Sequence, residues 1–431
     1  MLRRALTLAA GALCGSVVAF TAIQTAAGWG LWPNRALDRA ANDVREVMAL
    51  VAENYVDGDK AAYGELSKSA LHGLLTSLDP HSDFLEAKRY RELEEDMNAE
   101  FGGIGIQVEV RNEKVVVIAP IAGTPGDRAG IQRGDTIVAV DGEELGKASM
   151  SDVISRLRGR PGTDVTVRLF RPSTQRAADF RLTREIIRIE SVRDARVLPG
   201  GIGYLQLTQF SERTGEEFRA TLGRLSREGV KGLILDLRNN PGGLLDAAVD
   251  VAEPFFPAGE LIVYTQGRSP GKREEFRSRS RRLPFDAPVV VLINAGTASA
   301  AEIVSGALKD TGRAVLVGER SFGKGSVQSI FPLKNGEGVR LTTARYYTPS
   351  GVTIHERGIE PQVEVVMTPE EDSRLRLQRS RSDVSDPADF RERFGFDPVE
   401  DRQLATAREV MEGLLAWDRR QPPAAGRGGA R

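Results

Sequence analysis

Cysteine is almost absent from this chain: Cys14 is the single thiol in 431 residues. No intrachain disulfide can form, so the fold must rest on buried apolar cores. Histidine is nearly as scarce, with His72, His81 and His355 making up the full set. That leaves little material for a histidine metal site or a histidine-based triad. An excess of either charge is also lacking. With 59 basic against 60 acidic residues, nothing in the charge balance points to a nucleic-acid partner. What is present is length and apolar content, 431 residues at 41% hydrophobic, enough for two or three domains, each with its own core.

The first 34 residues form a segment apart. Arg3 and Arg4 precede an uncharged stretch from Ala5 to Asn34, in which Leu6 to Ile23 is mainly apolar. This reads as an export address, either a signal peptide cleaved near Thr25-Ala26-Ala27 or an uncleaved N-terminal membrane anchor. Leu13 stands before Cys14, where a lipidation signal normally has a small residue, so a lipoprotein reading is disfavoured. Either form of the address places the remaining chain outside the cytoplasm.

Residues 35–100 read as a helical region. Apolar residues recur at helical spacing between Asp38 and Tyr55 (Val44, Val47, Met48, Val51), and a second helical pattern runs from Tyr63 to Leu78. The run DPHSD then signals a turn, with His81 expected in a capped turn. Residues 101–187 look like a separate module. FGGIGIQVEV supplies a glycine-rich loop opening an alternating strand, and VVVIAPIAGTPGDRAGIQRGDTIVAVDG gives strand, turn, short helix and strand. A helix from Ser151 to Leu157 and a strand from Val165 complete it.

Residues 188–368 alternate between strand and helix. GIGYLQLTQF, the nearly all-apolar GLILDLR and APVVVLIN read as strands, the last two buried on both faces. Glu216 to Glu228 and the stretch after PGG read as helices. The alternation implies an α/β core with parallel pairing. Arg268 to Arg282 is expected to be an exposed charged loop. Residues 369–431 read as a C-terminal helical extension and a tail that is disordered after Trp417.

Within this core, GTASAAEI (Gly296 to Ile303) and SFGKGSVQ, which contains Lys324 and Gln328, carry the chemistry. Ser299 with Glu302 matches a capping box, and taken alone that makes the serine structural. The bare surroundings argue otherwise: Gly296, Ala298, Ala300 and Ala301 leave the backbone open to a substrate at the mouth of a helix, where negative charge is favoured. Lysine acts as a base only when neutral, so Lys324 must be desolvated. Gly323 and Gly325 permit tight packing around it, and Phe322 can exclude water. Gln328 can accept from the lysine without adding charge. The turn DLRNNPGG (Asp236 to Gly243) can supply an oxyanion N–H from Gly243, with Gly242 left open as the alternative, to pair with that of Ala300. Asn239 and Asn240 are expected to shape this loop.

The serine, lysine and glutamine spacing resembles that of the carboxy-terminal processing peptidases, tail-specific serine/lysine proteases of the bacterial envelope and chloroplast, over about residues 40 to 368. The 101–187 module resembles a PDZ domain. The resemblance implies a crotonase-like β/α protease core with N-terminal helices and an inserted PDZ domain, in which Ser299 is the nucleophile, Lys324 the base and Gln328 its orienter. It also implies that LTTARYYTPSG (Leu341 to Gly351) builds the floor beside the lysine. In the module, N–H groups around Gly103, Ile104 and Gly105 can hold a terminal carboxylate, while the strand from Ile106 adds the peptide to its edge. The implied partners are proteins or peptides with exposed C-termini. Neither metal nor cofactor is needed, and the periplasm or cell envelope is the implied location. A membrane anchor, self-assembly and an activating adaptor stay open.

Two rivals come from other classes. One is a catalytically silent PDZ scaffold. The other is a P-loop nucleotide hydrolase, because Gly318 to Lys324 follows the strand AVLV with P-loop-like spacing. In that reading Gly325 replaces the Ser or Thr that holds magnesium, and SVQSIFPL beyond it alternates like a strand.

Overall fold

The computed structural model describes residues 34–418, except 112–113, 147–149, 270, 272, 282–284, 382–383 and 385. The segment 1–33, read above as an export address, and the tail from 419 onward lie outside the described residues. The chain divides into two compact units between Phe84 and Leu85. In the first unit, α1 (Arg35–Asn54) starts at Asn34, whose side chain accepts from the amide of Leu37. Its Val44, Val47, Met48 and Val51 share one concavity with Leu66 and Ala70 of α2 (Tyr63–Thr76). The turn that follows is held by Asp79, whose Oδ1 accepts from the amides of His81 and Ser82 at 2.7 and 2.8 Å. The short strand β1 (Asp83–Leu85) lies at the division.

The second unit opens with α3 (Ala87–Asn98), then β2 (Glu100–Gly103). The inserted module comprises β3 (Ile106–Arg111), β4 (Lys114–Pro120), α4 (Pro125–Arg128), β5 (Thr136–Val140), β6 (Glu143–Glu144), α5 (Met150–Leu157), β7 (Asp164–Arg171) and β8 (Arg176–Thr183). Its main strands run in the order β3-β4-β5-β7-β8. Val117, Ile137, Val153, Val165, Val167 and Leu169 pack its core. β9 (Glu185–Arg188) pairs antiparallel with β2, so the chain enters and leaves the module through one two-stranded ribbon.

The core that follows contains β10 (Val192–Leu198), β11 (Ile202–Leu207), α6 (Thr214–Arg227), β12 (Gly232–Asp236), α7 (Leu245–Ala252), β13 (Leu261–Gly267), β14 (Arg273–Arg277), β15 (Val289–Ile293), α8 (Ala300–Asp310), β16 (Ala314–Gly318), β17 (Ser326–Pro332), β18 (Gly338–Tyr347) and β19 (Val363–Glu364). After it come α9 (Pro369–Ser380), α10 (Pro387–Phe394) and α11 (Arg402–Asp418). The principal sheet has the order β10-β11-β12-β15-β16-β19, parallel from β11 to β19, with β10 antiparallel at one edge. Its central strands β12 and β15 are apolar on both sides because both sides are covered. Leu233, Leu235, Val289 and Val291 face the cluster built with α6, α7 and α8. Ile234, Val290 and Leu292 face Ala407, Met411 and Leu415 of α11. Burial of this kind contributes about 25 cal/mol per Å² of apolar surface.

A second sheet carries β17, β18, β13 and β14 in antiparallel pairs. It corrects one expectation. The 268–282 stretch is not simply a loop: β14 pairs with β13, with Arg277 bridging to Glu275 and the Arg273 guanidinium lying 3.7 Å over the Tyr264 ring. Side-chain pairing of this kind stabilises a strand whose composition has little β propensity of its own.

Candidate active site

Three loops leave the C-terminal ends of the adjacent parallel strands β12, β15 and β16, the end at which open α/β sheets bind ligands. The loop after β15 bends sharply into α8. Thr297 Oγ1 donates to the carbonyl of Leu237 at 2.9 Å and accepts from the amide of Asn294 at 3.0 Å, while the amide of Ala298 donates to the carbonyl of Asn240 at 2.9 Å. The bend ends at Ser299 with φ 53° and ψ -116°, far from the extended backbone of an ordinary N-cap serine. A non-glycine residue held there is strained, and such strain concentrates at functional sites.

Glu302 ties this bend to the lysine loop. Its Oε2 accepts from the amides of Ser299 at 2.8 Å and Lys324 at 2.9 Å, and its Oε1 from Ser321 Oγ at 2.5 Å and the amide of Gly323 at 2.7 Å. The amide nitrogens of serine and lysine are therefore no farther apart than the sum of two hydrogen bonds. Burial raises the Glu302 pKa, opposed by all four donors. Four donors arranged two per oxygen, three of them backbone amides that can only donate, favour the carboxylate against that burial. The capping-box pattern is real, but three of the carboxylate's four donors lie some twenty residues downstream.

Lys324 is half-buried, and desolvation, then the Arg340 charge, hold its ammonium below the usual lysine range, against the pull of Glu302. Gly325 lets this loop lie against the backbone of His355: a Cβ there would sit 2.2 Å from that residue's amide nitrogen. Phe322 does not serve as the expected shield, since it is 65% exposed; its amide is spent on the carbonyl of Thr297. Gln328 donates through Nε2 to Ser326 Oγ at 2.8 Å and Thr342 Oγ1 at 3.3 Å. Those bonds fix its amide plane and leave the carbonyl oxygen as its acceptor.

The DLRNNPGG loop packs directly on the serine bend. A Cβ on Gly242 would lie 2.8 Å from both Ser299 Cβ and the Ala300 amide nitrogen, and one on Gly243, at φ +143°, would lie 2.0 Å from the carbonyl oxygen of Phe210. The Gly242 amide is occupied by Asn240 Oδ1 at 2.8 Å. Among the described residues the amides of Gly243 and Ala300 have no acceptor, which separates Gly243 from Gly242 as a donor. Asn240 Nδ2 also donates to the carbonyl of Leu207 at 2.8 Å, and the amide of Asn239 to Asn294 Oδ1 at 2.8 Å, so both asparagines shape the loop.

Tyr346 was legible only as part of the expected floor. It is buried, and its phenol is pushed up to about 12 by burial, against an opposing influence of the Ser299 side chain. Its amide donates to the carbonyl of Gly325 at 2.8 Å, so β18 carries it between serine and lysine loops.

In the inserted module, Gly103, Ile104, Gly105 and Ile106 line a groove of about 290 Å³ whose opposite wall is Ile154 and Leu157 of α5. The carbonyl of Ile104 accepts from the amide of Gly126, and that of Gly105 from Ile121, both at 2.8 Å. β3 ends the strand order of its sheet, an arrangement open to an added strand. The P-loop spacing finds no matching structure. β16 ends at Gly318 and the lysine loop opens β17 instead of a helix, so no helix N-terminus cradles phosphates there.

A profile for Peptidase family S41 matches residues 201–365, and one for the PDZ domain matches residues 116–171. The carboxy-terminal-processing protease of Bartonella bacilliformis is 38% identical over 366 residues, covering 81% of this chain and 84% of its own. The carboxyl-terminal-processing protease of Synechocystis sp. is 38% identical over 341 residues, 77% of each chain. Among solved structures, a photosystem II D1 C-terminal processing protease is 32% identical, with a TM-score of 0.45, covering 75% of this chain and 92% of its own.

Proposed function

The chain belongs to peptidase family S41, as a carboxy-terminal processing serine protease with a PDZ domain, and from that premise we propose that Ser299 and Lys324 form its catalytic dyad. The observation that carries this reading is the shared Glu302 oxygen, which holds a strained serine and a half-desolvated lysine side by side. Ser299 Oγ attacks the scissile carbonyl carbon while neutral Lys324 Nζ takes its proton. The developing oxyanion accepts from the amides of Gly243 and Ala300, at the positive end of α8. Lysine ammonium then protonates the departing amine as the C–N bond breaks. Water, deprotonated by the same lysine, hydrolyses the acyl-enzyme. Gln328, through its carbonyl oxygen, orients the lysine without a charge that would keep it protonated.

The PDZ groove takes the substrate's C-terminal strand against β3, with the terminal carboxylate at the Gly103 to Ile106 amides, and cleavage follows within the chain. Arg3 and Arg4 ahead of an apolar run support export, so the substrates are envelope proteins with exposed tails. Replacing Ser299 by Ala and Lys324 by Ala, singly and together, tests the dyad. Each single variant should abolish cleavage of an unstructured protein while keeping peptide binding, and the double variant should be no worse than either. Cleavage undiminished in Ser299→Ala would end the reading, and a silent wild type that still binds peptides would leave a scaffold.

A further inference from the structure

The segment beyond the matched protease region touches each of the three catalytic loops with a polar side chain. Asp372 of α9 accepts through Oδ1 from Asn294 Nδ2 at 3.2 Å and Asn239 Nδ2 at 3.4 Å. Asn294 begins the serine bend and Asn239 lies in the oxyanion loop, so one carboxylate pins the two where they meet. Arg238, buried at the root of the oxyanion loop, donates to both oxygens of Asp401 at 2.7 and 2.9 Å and to Gln403 Oε1 at 3.1 Å. Gln403 then donates through Nε2 to Glu319 Oε1 at 3.1 Å, in the loop leading from β16 to Lys324. Arg379 and Arg238 both donate to Asp236 Oδ2, at 2.8 and 2.7 Å, so two cations and two carboxylates share the site.

We propose that this C-terminal segment is a positioning brace for the catalytic loops, with Asp372, Arg379, Asp401 and Gln403 as positioning residues. Anchoring alone does not require them. Ala407, Met411 and Leu415 already bury α11 against the sheet, and a buried ion network is a weak source of net stability. What the polar groups add is direction: Asp372, Asp401 and Gln403 end on the loops that carry an oxyanion donor, the serine or the lysine, and Arg379 ends on Asp236, the last residue of β12 before the oxyanion loop. A misplacement of about 1 Å in such a loop is worth up to roughly 100-fold in rate.

The proposal rests on the Ser299–Lys324 reading, and the experiment separates the two. Full-length Asp372→Ala, Asp372→Asn and Asp401→Asn are compared with wild type and Ser299→Ala on a quenched-fluorescence peptide with a free C-terminus. Thermal unfolding and peptide affinity are measured alongside. Asp372 is partly exposed, so its alanine variant keeps the test alive should the buried site at Asp401 not tolerate change. The expected result is a fall in kcat of about 10- to 100-fold for Asp372→Ala, with KM and peptide affinity unchanged. Asp372→Asn, which retains an acceptor oxygen, should recover most of the loss. Wild-type kcat in both Asp372→Ala and Asp401→Asn, or losses that only follow the unfolded fraction, would overturn the brace. Activity in Ser299→Ala would instead overturn the dyad.

Discussion

Replacing Glu302 by glutamine asks whether serine and lysine are held by one buried carboxylate. The carboxylate takes four donors, two on each oxygen, whereas glutamine keeps one acceptor oxygen and brings an NH2 group. The less costly placement turns the NH2 toward Ser321 and Gly323. The Ser321 hydroxyl can rotate to accept it, although it already accepts from the amide of Ile359 at 2.6 Å. The Gly323 amide is then orphaned, a loss of about 1–3 kcal/mol in stability. Because burial already disfavours the Glu302 charge, removing that charge recovers part of the loss. The pH dependence is the sharper readout. The Glu302 charge raises the Lys324 pKa against its burial, so without it the lysine pKa falls further. A base works when neutral, and activity rises as pH climbs through its pKa. The rising limb of kcat/KM should therefore move to lower pH in Glu302→Gln, while general damage to the site would move nothing but the plateau. An unmoved limb, or one displaced to higher pH, measured with an unchanged unfolding temperature, would refute the tie. Glu302→Ala removes the acceptor of all four donors, leaving buried groups unpaired at about 1–3 kcal/mol each, and the released serine and lysine loops should lower kcat by at least about 10-fold.

In the wild type, the rising limb of kcat/KM should lie below the ordinary lysine value of about 10.4, and it should persist when His355 or His81 is replaced. A limb that vanishes with either histidine would point to a different base. Lys324→Met should be inactive yet more stable at neutral pH. A lysine with a lowered folded pKa destabilises the fold progressively as pH falls from the unfolded value of about 10.4 toward the folded one, and fully below it, so the gain in Tm should disappear above about pH 10.4. Gly243→Ala places a Cβ 2.0 Å from the Phe210 carbonyl oxygen, and the displaced amide should lower kcat by about 100- to 1,000-fold with little change in KM. Normal kcat there would remove Gly243 from the oxyanion site. Amidating a substrate's C-terminus should weaken its binding to the PDZ groove by about 1.5–3 kcal/mol, the worth of a charged hydrogen bond; equal binding of acid and amide, by calorimetry, would show that the groove does not read free termini.

What could be read from residues alone followed range of contact. GLILD and VVVLI are apolar at every position because the sheet is covered on both faces, and that signal needs no partner to be visible. The glycines of the DLRNNPGG turn and of the lysine loop announced close backbone approach for the same reason. REEFR at β14 was opaque, since its pairing is supplied by β13, and by Tyr264 beneath Arg273. The brace residues Asp372, Asp401 and Gln403 were opaque too: their partners Asn239, Arg238 and Glu319 lie more than eighty residues away in the chain.

Glu302 falls between these cases and shows why a local motif can mislead without being wrong. Serine and glutamate three apart at a helix mouth satisfy a capping rule, and the structure honours it, with the Ser299 amide donating to Oε2. A cap of that kind uses one lone pair of a group that has about four. In a buried site the others must be met, and the donors that meet them are the Ser321 hydroxyl and the amides of Gly323 and Lys324. The unanswered acceptor capacity of a buried capping glutamate is therefore itself a sequence signal: it demands a donor-rich loop elsewhere, and SFGKG, with its hydroxyl and its two bare glycine backbones, is the stretch of this chain able to supply one.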